Sequence, residues 1–187
     1  MKETFSNSAV PNILVVDDTP ANLELLSGLL RAQGYAPRPV PSGKLALAAA
    51  RAEAPDLVLL DIRMPEMDGF EVCERLKADE TLRDVPVIFI TAAQDREDKV
   101  RAFSLGAVDY VTKPFQVEEL QARVRTHLHL RSLQRDLKEH QEAILETALD
   151  GFMVASREGR LLEVNATFCR MTGYSQKELL TLRIADL

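Results

Sequence analysis

The chain has 187 residues, more than one small domain needs and fewer than two full ones, so one complete domain with an appendage is the natural expectation. Hydrophobic residues at 46% and charged residues at 28% exclude a chain disordered throughout, and a formal net charge of -6 works against a broad basic surface for nucleic acid. Two cysteines, Cys73 and Cys169, stand far apart and outside any CxxC pattern, which excludes a disulfide framework or zinc site and leaves reduced thiols.

The opening MKETFSNSAVPN lacks the apolar stretch of a secretory signal, and residues 1–10 read as a disordered N-terminus. Ile13 to Val16 is an apolar run broken by Asp17 and Asp18, the pattern of a buried parallel strand that delivers polar groups at its end. Thr19 and Pro20 suit the N-cap and first turn of a helix, which carries Leu23, Leu26, Leu29 and Leu30 on one face and stops near Gly34. The next strand, Ala36 to Val40, contains Pro37 and Pro39 and so belongs at a sheet edge, because proline has no N–H to give to a ladder. Ser42 opens a second helix that reaches Glu53.

Leu57 to Leu60 repeats the first pattern and breaks off into Asp61, followed by the loop IRMPEMDG. A third helix runs from Gly69 to Lys77, a fourth strand from Val87 to Ile90 ends in Thr91, and a fourth helix spans Asp95 to Leu105. Val108 to Thr112 is a fifth strand closed by Lys113 and Pro114, and from Gln116 a helix continues with no proline or glycine until Gly151. Strands alternating with helices over crossovers of this length predict an α/β fold, a doubly wound parallel sheet covered on both faces. Ligands of such sheets bind outside the carboxyl ends of the strands, where Asp17, Asp18, Asp61, Thr91 and Lys113 then gather.

Carboxylates packed together either raise a pKa or hold a cation, and an all-oxygen set suits a hard ion, with Mg2+ the expected occupant. One acid left free of the ion, Asp61, becomes a nucleophile toward phosphorus. Lys113 opposite the ion offsets charge on the phosphoryl oxygens, and Thr91 offers a hydroxyl.

VVDD at 15–18, LLDIRMPEMDGFE at 59–71, ITA at 90–92 and DYVTKPF at 109–115 together resemble the receiver domains of two-component response regulators. The resemblance covers residues 11–129 and implies a flavodoxin-like sheet in strand order 2-1-3-4-5. It implies that Asp61 is the phosphoacceptor, that Asp18, Asp61 and the backbone carbonyl of Arg63 hold the metal, with Asp17 acting through water, and that Lys113 clamps the phosphate. Thr91 and Tyr110 resemble the family's switch pair, and the peptide before Pro114 is expected to be cis. The implied donor is a histidine kinase, and the face of helix four, strand five and helix five carries the response.

A haloacid-dehalogenase-like phosphatase needs DxDxT after a strand, which neither Asp17-Asp18-Thr19 nor Asp61-Ile62-Arg63 supplies. A phosphorylation-independent interaction module usually lacks an acid or the lysine, and here all are present. Met64, Met67 and Phe70 are assigned to packing. His127 and His129 point to nearly opposite sides of a helix, and with His140 they are read as solvated or seam residues, since HLRSLQ lacks the acid and proline that follow a kinase phosphoacceptor histidine.

Leu130, Leu133, Leu137, His140, Ile144 and Thr147 alternate in spacings of three and four, a coiled-coil linker over 130–148 that would pair two chains in parallel. Beyond it, residues 149–187 read as two hairpin strands, DGFMVAS and RLLEVN, a short helix ending at Gly173, and a last helix KELLTLRIADL opened by a Ser175–Glu178 capping box. This stretch resembles the N-terminal part of a PAS sensor domain, truncated before its remaining strands and so prone to self-association or partial disorder. No run approaches the roughly 18 apolar residues that span a bilayer, which favours a cytoplasmic chain without membrane contact.

Overall fold

A computed structural model of the chain describes residues 10–91, 96–147 and 151–187. Most of the expected disordered N-terminus, Asp95 at the start of the fourth helix, and Leu149 and Asp150 lie outside the described residues, as do the side chains of Ile144 and Thr147 in the anticipated seam. The chain divides into two compact units, residues 1–132 and 133–187.

The first unit alternates β1 (Asn12–Val16), α1 (Pro20–Ala32), β2 (Ala36–Val40), α2 (Gly43–Ala52), β3 (Leu57–Asp61), α3 (Gly69–Ala78), β4 (Val87–Thr91), α4 (Arg96–Ser104), β5 (Asp109–Thr112) and the start of α5 (Val117–Thr147). The strands form one parallel sheet in the order β2-β1-β3-β4-β5, as the resemblance implied. β1, β3 and β4 are buried almost throughout, which is why they read as unbroken apolar runs rather than alternating ones. Pro37 and Pro39 sit opposite Ile13 and Val15 on β2 at the sheet edge, where their missing N–H groups cost no second ladder.

Two cores flank the sheet. Val16, Leu60, Phe70, Leu76 and Phe89 pack with α2 and α3 on one face, and Ile13, Leu26, Leu59, Val124 and Leu128 pack with α1 and α5 on the other. Ser42 caps α2 by accepting from the Leu45 N–H, and Asp68 caps α3 by accepting from that of Glu71. Thr19 occupies the α1 N-cap position without capping through its side chain. Its N–H instead donates to Asp17 Oδ1 at 2.9 Å, so one carboxylate serves both the helix start and the sheet edge.

Gly69 lies where the chain folds back beneath the end of β3. A Cβ there would stand 2.2 Å from the carbonyl oxygen of Asp61, a distance that only glycine avoids. The Gly69 N–H donates to the Ile62 carbonyl at 2.9 Å and seals this return.

In the second unit β6 (Met153–Ala155) and β7 (Leu161–Val164) form the expected antiparallel hairpin, followed by α6 (Ala166–Thr172) with Gly173 in the left-handed region at φ 78°. The Ser175–Glu178 capping box forms, but α7 spans only Gln176–Leu179. The helix expected through KELLTLRIADL is thus corrected: Leu161 N–H bonds to the Leu182 carbonyl, Arg160 bridges Arg183 antiparallel, and a short 3-10 turn at Ile184–Asp186 closes the segment. Backbone pairing with the start of β7 outcompetes the local helical preference.

Candidate functional site

Four strands release their polar residues at the same edge of the sheet. Asp17 follows β1, Asp61 ends β3, Thr91 ends β4 and Lys113 follows β5. Asp17, Asp61 and Thr91 are 1%, 7% and 2% exposed, whereas Asp18 is open to solvent. One oxygen from each of Asp17, Asp18 and Asp61 lies within 4.8 Å of the others.

Lys113 spans this cluster. Its Nζ donates to Asp17 Oδ2 at 2.7 Å and to Asp61 Oδ1 at 3.1 Å. Asn22, on the first turns of α1, donates its amide to both oxygens of Asp17 at 3.0 Å. In the sequence only its polarity in the first turn of a leucine-rich helix marks Asn22. The Lys113–Pro114 peptide is cis.

Burial pushes the Asp61 carboxyl above its ordinary value; the Lys113 ammonium pulls it back in part, and Asp17 and Asp18 push it further up. For Lys113, burial alone would lower the ammonium, but hydrogen bonds and charge from Asp17 and Asp61 prevail and hold it above the usual lysine value. Three carboxylates facing one ammonium leave net negative charge in a half-dry site, and their oxygens approach closely enough to share a hard cation. The donor set therefore fits Mg2+. Arg63 lines the neighbouring groove together with Asp18.

Tyr110 on β5 is half-buried. Its ring meets Phe103 of α4 edge-on at 5.8 Å between centroids and carries the Lys99 ammonium 4.4 Å above it. The preceding residue, Asp109, receives the Arg123 guanidinium at 2.5 Å and faces His127 Nε2 at 3.2 Å, both from α5. This corrects the reading of His127 as a solvated or seam residue: it sits one helical turn beyond Arg123, on the face that packs against β5.

The response regulator receiver domain family matches residues 13–125, more than half of the chain. The chain belongs to this family. A PAS domain family matches residues 139–187, so the receiver is followed by a PAS segment. The receiver is similar to the DNA-binding dual master transcriptional regulator RpaA of Synechocystis, 45% identical over 119 residues that make up 64% of this chain and 49% of that protein. It is 47% identical over 114 residues to the response regulator PleD of Caulobacter vibrioides, covering 61% of this chain and 25% of that one. The chain thus spans a quarter to a half of the length of these relatives. Among solved structures, the receiver domain of a signal transduction histidine kinase from Syntrophus aciditrophicus superposes with a TM-score of 0.61 at 38% identity, covering 64% of this chain and 91% of that one.

Proposed function

We propose that the receiver is a phosphoacceptor switch in which Asp61 takes a phosphoryl group from the phosphohistidine of a partner histidine kinase. The observation that carries this reading is the Lys113 ammonium set between two buried carboxylates at the strand ends, 2.7 Å from Asp17 and 3.1 Å from Asp61. In the reaction a carboxylate oxygen of Asp61 attacks phosphorus and the bond to the imidazole nitrogen breaks. The acyl phosphate that forms carries up to about two negative charges, where the free side chain carried one.

Asp18, Asp61 and the backbone carbonyl of Arg63 would hold Mg2+, with Asp17 acting through water. When bound, the ion offsets charge on the phosphoryl oxygens. Lys113 leaves its contact with Asp61 for a phosphate oxygen while keeping Asp17, and the Thr91 hydroxyl binds another oxygen. Tyr110 then exchanges its place between Lys99 and Phe103 for one nearer the vacated threonine, which alters the face formed by α4, β5 and α5.

The change leaves through α5 toward the PAS segment and whatever output domain the whole protein carries. Leu130, Leu133 and Leu137 stand 49%, 51% and 60% exposed along α5, which supports a homodimer through the helix over residues 130–148. No described helix is long and apolar enough to cross a membrane, and we place the receiver in the cytoplasm with its kinase, without a nucleic-acid contact of its own.

The test is intact-mass analysis after incubation with acetyl phosphate and Mg2+. The wild type gains one phosphoryl mass and Asp61→Asn gains none; equal labelling of the two removes the reading.

A further inference from the structure

Beside the acidic cluster runs an open groove of about 490 Å³, walled by Asp18, Arg63, Asp68, Phe70, Asp98 and Arg101 among its residues. Because Asp18 belongs to both, the groove borders the place where a phosphodonor meets Asp61. Arg101, on α4, lies with its guanidinium carbon 4.3 Å from the centroid of the Phe70 ring. Stacking of this kind fixes a guanidinium in place without neutralising it. Among the described residues no carboxylate forms a salt bridge with Arg101, whereas Asp68 is engaged by the Glu71 N–H at 2.8 Å.

We infer that Arg101 is a specificity-determining residue for small phosphodonors, favouring those whose leaving group departs as an anion. The inference rests on Asp61 being the phosphoacceptor. With acetyl phosphate, an Asp61 oxygen forms the new bond to phosphorus, the old P–O bond breaks, and its electron pair leaves with acetate, which carries off one negative charge. With phosphoramidate, the P–N bond breaks and the already protonated nitrogen leaves as neutral ammonia. Negative charge therefore grows on the departing group only in the first reaction, and a fixed cation in the groove favours that transition state over the second. The planar fork of a guanidinium also matches a departing carboxylate. Asp98 shares the groove and moderates the field of Arg101, which keeps the expected effect to a modest factor.

Labelling rates of the full chain, followed by intact mass with Mg2+ and matched ionic strength, decide the matter. Arg101→Ala should slow acetyl phosphate by about three- to tenfold and leave phosphoramidate within about twofold, and Arg101→Lys, which keeps the charge without the planar fork, should restore part of the loss. In the wild type, raising salt should lower the ratio of the acetyl phosphate rate to the phosphoramidate rate, because the field is screened. That measurement stands even if the alanine variant misfolds. Equal slowing with both donors, an unchanged acetyl phosphate rate, or a ratio indifferent to salt overturns the inference and leaves Asp61 as phosphoacceptor. Failure of both donors to label the wild type removes the underlying reading instead.

Discussion

At the scale of single residues, the site is a balance of charge within a dry edge of the sheet. Asp17 is held from three directions, by the Thr19 N–H, the Asn22 amide and the Lys113 ammonium, so its carboxylate is fixed in position before any ligand arrives. Asp61 has Lys113 alone among these donors and sits beside a return of the chain that Gly69 makes feasible. Gly69→Ala would force a methyl group against the Asp61 carbonyl, and backbone cannot yield as a side-chain tip does. We expect a loss of about 1–3 kcal/mol in urea unfolding, together with slower phosphorylation of Asp61. Unchanged stability and rate would show that the return relaxes at no cost.

At the scale of elements, β5 and α5 are tied together by charge as well as by the apolar contacts of Val111, Leu120, Val124 and Leu128. Burial works to raise the Asp109 carboxyl, but hydrogen bonds from Arg123, the Tyr110 N–H and His127 outweigh it and hold the group below its ordinary value of 3.8. The folded state therefore binds this proton less readily than the unfolded chain. Stability from Asp109 is complete above pH 3.8 and is lost as pH falls through that value toward the lower folded one. Asp109→Asn should remove on the order of 1 kcal/mol at neutral pH and flatten the acid limb of the stability profile, read by thermal unfolding between pH 3 and 7. An acid limb as steep in the variant as in the wild type would assign the loss to other carboxylates. The same contacts join the residue before Tyr110 to α5, which would give the proposed shift of the ring a mechanical route into that helix.

At the scale of the molecule, α5 changes partners along its length. Val124 and Leu128 are buried in the receiver core, whereas Leu130, Leu133 and Leu137 turn to solvent. The proposed homodimer would cover these leucines with a second copy of the helix. Leu133→Glu with Leu137→Glu should shift the chain from dimer to monomer in sedimentation equilibrium while leaving Asp61 phosphorylation by acetyl phosphate intact. A wild type that sediments as a monomer at micromolar concentration would sink the dimer. The strand runs, the edge position of β2, the caps at Ser42 and Ser175 and the acids at the strand ends were legible in the sequence, because each follows from local patterns of burial, capping or periodicity. The amide of Asn22, the Asp109–Arg123–His127 cluster, the α4 cations over Tyr110 and Phe70, and the strand-like pairing of Leu182 and Arg183 were not. Each joins residues distant in the chain or sets backbone pairing against local preference, and only the packing of helices on the sheet decides which side chains meet.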